Sequence, residues 1–131
     1  LSKDSDLKID IYGRGYKPFE KKSDLLKNYY ASVVIENSRE PSYFTEKITD
    51  TILTGVIPIY WGASNIGDFF NESGIVTFGS ADDFIDKKEY INQLRNIDLL
   101  KERRENYHLA TKHLDHRAII REKIQNLYRQ K

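Results

Sequence analysis

Three groups of residues in this sequence have the types and spacing that recognition of an anion would need. Arg14 stands between Gly13 and Gly15, so a guanidinium sits where the backbone can bend sharply. Arginine is the side chain suited to bidentate capture of phosphate oxygens. Glu36-Asn37-Ser38 closes an apolar run, and Tyr43-Phe44-Thr45-Glu46-Lys47 opens a stretch of helical spacing. A helix start presents free N–H groups and the positive end of the dipole, which favours anions. Lys47 in that first turn runs against the dipole preference and makes more sense opposite an anion. Glu46 would be repelled by phosphate oxygens, so it fits better as an acceptor for ribose or sugar hydroxyls. Each residue also has a plainer explanation. Glu46 can simply favour the dipole, Lys47 can be a solvated cation, Arg14 a loop cation, and Tyr43 and Trp61 core or rim aromatics. By charge and placement alone, a phosphate-bearing ligand and these plainer explanations stand level.

The elements that must position these groups follow from the hydrophobic pattern. Residues 7–13 (LKIDIYG) alternate and end on glycine, predicting a strand. A loop at 14–21 and a short helix at 22–29 follow. Residues 31–36 (ASVVIE) form a nearly continuous apolar run, the pattern of a parallel strand buried on both faces. A polar loop from Asn37 to Ser42 leads to a helix over 43–54, with Phe44, Ile48, Ile52 and Leu53 at helical spacing and Gly55 as its stop. Residues 56–61 (VIPIYW) predict a second buried strand, 64–70 a short helix and 75–78 another strand. From Ala81 onward the pattern is helical, in segments 81–94, 98–113 and 116–130. Strands alternating with helices imply an α/β, Rossmann-like parallel sheet with right-handed crossovers, followed by a helical C-terminal tail. Ligands of such sheets bind beyond the carboxyl ends of the strands, where Arg14 and the stretch from Glu36 to Lys47 fall.

Bulk properties narrow the classes. A chain of 131 residues fits one domain with one core. Lys and Arg number 21 against 20 Asp and Glu, a balance that gives no reason to expect nucleic acid or an acidic membrane surface as partner. There is no cysteine, which excludes disulfides and thiolate metal sites. No apolar run approaches a membrane span and no signal-peptide pattern opens the chain. Leu1 in place of methionine suggests a trimmed sequence or a domain cut from a longer one. The basic last turn (Arg121, Lys123, Arg129, Lys131) fits a solvated helix face.

The stretch VVIENSREPSYFTEKITDTILTGVIPIYWGASNIGDFF resembles the signature region of the α-1,3/1,4-fucosyltransferases, the inverting glycosyltransferase family 10. The pattern of that family runs from an apolar strand to Glu-Asn-Ser, then Tyr-x-Thr-Glu-Lys, a helix, and Gly-x-x-Pro-x-x-x-Gly. Here these are Glu36-Asn37-Ser38, Tyr43 to Lys47, and Gly55 to Gly62 with Pro58 inside. Ile-Asp-Ile-Tyr-Gly-Arg-Gly, ending on Gly15, is similar to the family's strand leading to a phosphate-binding arginine, and the match covers roughly residues 9–78. The resemblance implies the C-terminal, donor-binding domain of a two-domain GT-B enzyme, with GDP-fucose as donor. It implies that Arg14 and Lys47 hold the diphosphate, that Glu46 holds the ribose, and that Asn37 and Tyr43 seat the nucleotide or the sugar.

It also implies that no metal cofactor is required, because protein cations and helix dipoles neutralise the departing diphosphate. Asp82-Asp83 then reads as a helix N-terminal signal, and His108, His113 and His116 form no ligand set. The glycan acceptor and the general base are expected in an N-terminal domain before Leu1, so this chain would be catalytically incomplete alone. Glu36, a carboxylate at a strand end, could be offered as that base; the resemblance places the base elsewhere and leaves Glu36 structural or donor-side. Membership of a bacterial or viral source would imply the cytoplasm, and of an animal or plant source the Golgi lumen. Two alternatives stay open: a transferase for another nucleotide sugar, and a non-catalytic Rossmann-like nucleotide-binding or interaction module.

Overall fold

The computed structural model describes residues 29–129. The strand expected at 7–13, the loop carrying Arg14 and nearly all of the helix expected at 22–29 lie outside the described residues. Within them the order is β1 (Ala31–Ile35), α1 (Glu46–Leu53), β2 (Ile57–Trp61), β3 (Val76–Thr77), α2 (Ala81–Asp86), α3 (Lys88–Asn92) and α4 (Leu100–Arg129), with single 3-10 turns at Ile66–Asp68, Glu72–Gly74 and Leu94–Asn96. The three strands form a parallel sheet in the order β1-β2-β3. Val34 lies opposite Tyr60, and Tyr60 opposite Thr77, so the strand ends align and the loops after them share one edge.

Alternation along β2 explains the two-sided core. Tyr60 points with Val34 into a cluster holding Ile48 and Ile52 of α1, Ile66, Phe70 and Ala110 of α4. Ile57 and Ile59 point the other way, against Val76, Ile91 and Leu94. Helices therefore cover both faces, as the parallel arrangement requires. β1 departs from the two-face burial its apolar run predicts. Only Val34 among its five residues is buried, while Val33 and Ile35 are 39% and 54% exposed. β1 is an edge strand of the described sheet, and an edge gathers cover from one neighbour only.

Pro58 sits in the central strand, a position that usually forbids proline. Ile57 N–H donates toward β1, to Tyr30 O at 2.8 Å, and Tyr60 O accepts on the opposite side from Phe78 N–H at 3.1 Å. The missing N–H of Pro58 thus faces the β3 side, where pairing starts only at Ile59 opposite Val76. No ladder bond is lost.

The helix boundaries move for local reasons. Residues 43–44 are not helical, because Thr45 takes extended backbone and its hydroxyl caps Lys47 N–H at 3.2 Å. Gly55 adopts φ +82, ending α1 as expected. The 81–94 helix is two short helices that meet at Lys87, and the 64–70 helix shrinks to one 3-10 turn. The two tail helices expected over 98–113 and 116–130 are one continuous helix. Nothing between His113 and His116 breaks a helix, since that stretch holds neither glycine nor proline.

The first half of α4 is fastened to the body. Asn106, 2% exposed, accepts from Asn71 N–H at 2.7 Å and donates to Asn71 O at 2.9 Å. Gly74 makes room for this side chain, because a Cβ there would stand 2.6 Å from Asn106 Nδ2. His113 packs within a cage of Phe44, Phe69 and Phe70. Beyond it Ile120, Ile124 and Leu127 are exposed.

Candidate functional site

The loop between β1 and α1 is built around one carboxylate. Glu36 follows the last residue of β1, and its N–H continues the ladder to Trp61 O at 2.9 Å. Its side chain is 2% exposed. Oε2 accepts from Thr45 N–H at 2.7 Å and from Tyr60 O–H at 3.0 Å, and Oε1 accepts from the Thr45 hydroxyl at 2.7 Å. Tyr60 Oη in turn accepts from Ala63 N–H at 3.2 Å. Glu36 therefore ties the end of β1 to the start of α1 and to the loop after β2. Burial, and to a lesser degree the Glu36 carboxylate beside it, pushes the Tyr60 phenol well above its usual range, although the Ala63 bond opposes this. A general base needs a lone pair that an incoming hydroxyl can reach. Both oxygens of Glu36 are engaged and hidden, so Glu36 is structural.

Gly62 belongs to the same arrangement. A Cβ there would fall 2.3 Å from Tyr60 Oη and 2.6 Å from Glu36 Cγ. The glycine that closes the sequence motif is required by the packing of tyrosine on glutamate.

Four of the five sequence-predicted site residues fall among the described residues. Lys47 Nζ donates to Asn37 Oδ1 and to Ile35 O, each at 3.3 Å. Because Glu36 N–H points to β2, the carbonyl of Ile35 points the other way, so the ammonium lies along the outer edge of β1. Glu46, next to it, is exposed, and its carboxylate makes no hydrogen bond or ion pair among the described residues. Tyr43 is 36% exposed and precedes the cap residue Thr45 by two positions. The structure thus joins Asn37 to Lys47 by contact, while Glu46 adjoins Lys47 in the first turn of α1 and Tyr43 lies in the loop before the cap. Arg14 lies outside the described residues.

Sequence inspection missed how this loop is held. Ser42 takes φ 63, a left-handed conformation that costs a non-glycine residue about 1–2 kcal/mol. Asn65 holds it, accepting from Ser42 N–H at 2.6 Å and donating to its hydroxyl at 3.0 Å. The Thr45 cap was missed too, because the helix expected over 43–54 takes Thr45 inside it, although threonine before Glu-Lys is a capping signal that could have found it. Tyr60 and Asn65 carried no signal, because their partners lie 24 and 23 residues away.

A cleft of about 150 Å³ at the ends of β2 and β3 is lined by Arg39, Tyr60, Gly62, Ser64, Thr77 and Gly79. Among the described residues no group of three or more His, Cys, Asp or Glu side chains could hold a metal ion, and no helix is long and apolar enough to cross a membrane. Asp83 accepts from Gly79 N–H at 2.9 Å and pairs with Lys87 at 3.5 Å, and Ser80 caps the helix that contains it. The Asp82-Asp83 pair is accordingly a helix start.

Comparison with known proteins gives a consistent picture. The profile described as glycosyltransferase family 10 (fucosyltransferase) C-term matches residues 1–129. An alpha-(1,3)-fucosyltransferase of Helicobacter pylori is 34% identical over 86 residues, covering 62% of this chain and 18% of the relative. A human 3-galactosyl-N-acetylglucosaminide 4-alpha-L-fucosyltransferase is 32% identical over 97 residues, 70% of this chain and 26% of its own. The crystal structure of an alpha1,3-fucosyltransferase with GDP-fucose superposes with a TM-score of 0.58 at 33% identity, covering 70% of this chain and 28% of that one. A structure of an alpha1,3-fucosyltransferase with GDP gives the same TM-score. The chain spans about a quarter or less of the length of these relatives.

Proposed function

The chain belongs to glycosyltransferase family 10, the fucosyltransferases, and from that premise we propose that it is the domain that holds GDP-fucose for inverting transfer to a glycan hydroxyl. The observation that carries this is the placement of Lys47. Its ammonium stands in the first turn of α1, 3.3 Å from Asn37, where the dipole disfavours a cation unless an anion completes the site. A diphosphate supplies that anion. Glu46, exposed and unengaged among the described residues, accepts from the ribose hydroxyls, and Tyr43 flanks the nucleotide. Arg14, whose guanidinium suits phosphate oxygens, completes the diphosphate grip.

In the transfer, the acceptor oxygen bonds to the anomeric carbon of fucose while the bond from that carbon to the diphosphate breaks. GDP leaves with the bonding electron pair, and the acceptor's proton goes to a base. Lys47 and Arg14 stabilise the charge that grows on the leaving diphosphate, the electrostatic role that takes a metal ion's place. The base is not Glu36, whose oxygens are occupied, and belongs to an N-terminal acceptor domain of the two-domain arrangement. GDP bound to related fucosyltransferases supports the donor identity. The test is calorimetry of the chain with GDP, UDP, CMP and ADP. GDP is expected to bind best, and Lys47→Ala to weaken it about tenfold or more, as the loss of one charge-assisted contact does. Equal affinity for all four nucleotides contradicts the donor assignment.

A further inference from the structure

We infer that Asn65 is a positioning residue for the nucleotide: without touching it, Asn65 holds the loop between β1 and α1 in the conformation that receives it. This rests on the donor-site reading of that loop for its meaning in the reaction, and on the loop's own bonds for its geometry. The loop is fastened at both ends. Lys47 Nζ bonds Asn37 near the start, and near the finish Glu36 accepts from Thr45 while the Phe44 ring lies 5.0 Å from that of Phe69. Between these points, residues 38–42 exchange hydrogen bonds with described residues outside the loop at Ser42 alone, and both bonds are with Asn65.

Ser42 is the point where this loop most needs holding. Tyr43 N–H donates to Glu40 O at 3.2 Å, closing a four-residue turn with Pro41 second and Ser42 third. Proline fixes a negative φ and Ser42 takes φ 63, the pattern of a type II turn, whose third residue is usually glycine or asparagine. A serine left to itself favours negative φ by about five- to thirtyfold. A return to negative φ would swing the peptide that carries Tyr43, because Phe44 just beyond it is packed against Phe69 and Phe70.

Asn65 is placed to prevent that return. Asparagine ahead of a helical turn commonly caps it, but the Asn65 side chain makes no cap to the 3-10 turn it precedes. Its Oδ1 accepts from Ser42 N–H at 2.6 Å, and its Nδ2 donates to the Ser42 hydroxyl at 3.0 Å and to Asp68 at 3.2 Å. Asp68 thus orients the carboxamide, and Ile66, 1% exposed within the core, anchors the turn that bears it. The two bonds to Ser42 are exposed, so they add little to global stability. What they select is one conformation of the loop. A ligand that needs that conformation binds in proportion to its population.

The test is GDP affinity by calorimetry in the parent chain, in Asn65→Ala, and in Asn65→Ala combined with Ser42→Gly, with the urea midpoint of each. Asn65→Ala is expected to bind GDP about five- to thirtyfold more weakly, with its midpoint nearly unchanged. Glycine holds a positive φ at no steric cost. The second substitution is therefore expected to recover part of the lost affinity, although it restores no bond to residue 65. A merely structural contact predicts the reverse, a lowered midpoint and no recovery from glycine. Equal GDP affinity in the parent and Asn65→Ala, or no recovery in the double variant, overturns the inference and leaves the donor assignment standing. Failure of the parent chain itself to bind GDP removes the donor assignment, and this inference with it.

Discussion

Replacing Glu36 separates a structural carboxylate from a chemical one. In Glu36→Ala, Thr45 N–H and Tyr60 O–H lose the acceptor they share, at 2.7 and 3.0 Å, and the Thr45 hydroxyl loses its own. A buried donor left unpaired costs about 1–3 kcal/mol. Thr45 is half-buried and its hydroxyl can turn toward water, so the two remaining donors sum to about 2–6 kcal/mol, a large share of the roughly 5–15 kcal/mol that holds a domain together. Glu36→Gln behaves differently. Its carbonyl oxygen in the Oε2 place accepts from both Thr45 N–H and Tyr60 O–H, and its amide donates to the Thr45 hydroxyl. Charge assistance is lost, about 1 kcal/mol, while the Thr45 hydroxyl proton, no longer accepted at Oε1, can turn toward water. Urea unfolding of the two variants measures both numbers, with a fall in midpoint at constant slope as the sign of altered stability. Equal losses in the two, or a loss below about 1 kcal/mol in Glu36→Ala, would refute the assignment of Glu36 as the tie between β1, α1 and β2.

Further outcomes follow from the same contacts. The Tyr60 phenol is held neutral in the fold by burial, with its folded value above the ordinary one near 10. The folded state therefore keeps a proton that the unfolded chain releases. This contribution is fully present below about pH 10 and is lost above it, at up to about 1.4 kcal/mol per pH unit. Tyr60→Phe is expected to be less stable by about 1–2 kcal/mol at pH 7, with the gap to the parent narrowing in urea melts above pH 10. Asn106→Ala removes both bonds to Asn71 and leaves that backbone unpaired beneath α4, for an expected loss of about 2–4 kcal/mol in the same assay.

The sequence made the site's outline visible because its main signals are local. Glu36 at a strand end and Gly55 after an apolar stripe each act through near neighbours, and the structure places a strand end and a stop there. Pro58 in a central strand reads as a conflict from sequence alone and is resolved only by where β3 begins. Tyr60 hides among apolar neighbours, so nothing marks its hydroxyl as the partner of a carboxylate 24 residues earlier. The single helix from Leu100 to Arg129 was divided because polar Asp115 and His116 interrupt the apolar pattern, although polarity does not end a helix without a breaker or a cap. Arg39 was overlooked for a related reason. A lone loop arginine has no pattern, and only the fold brings it to Gly79.

The central claim is that the loop from Asn37 to Lys47 receives the guanosine diphosphate. Amide chemical-shift mapping of the isotopically labelled chain during a GDP titration tests it most directly. The largest saturable shifts are expected at Asn37 and at Tyr43 through Lys47, with little change at Asn106 or along the exposed end of α4. Shifts concentrated away from that loop, or the same shifts with UDP at equal concentration, would contradict it.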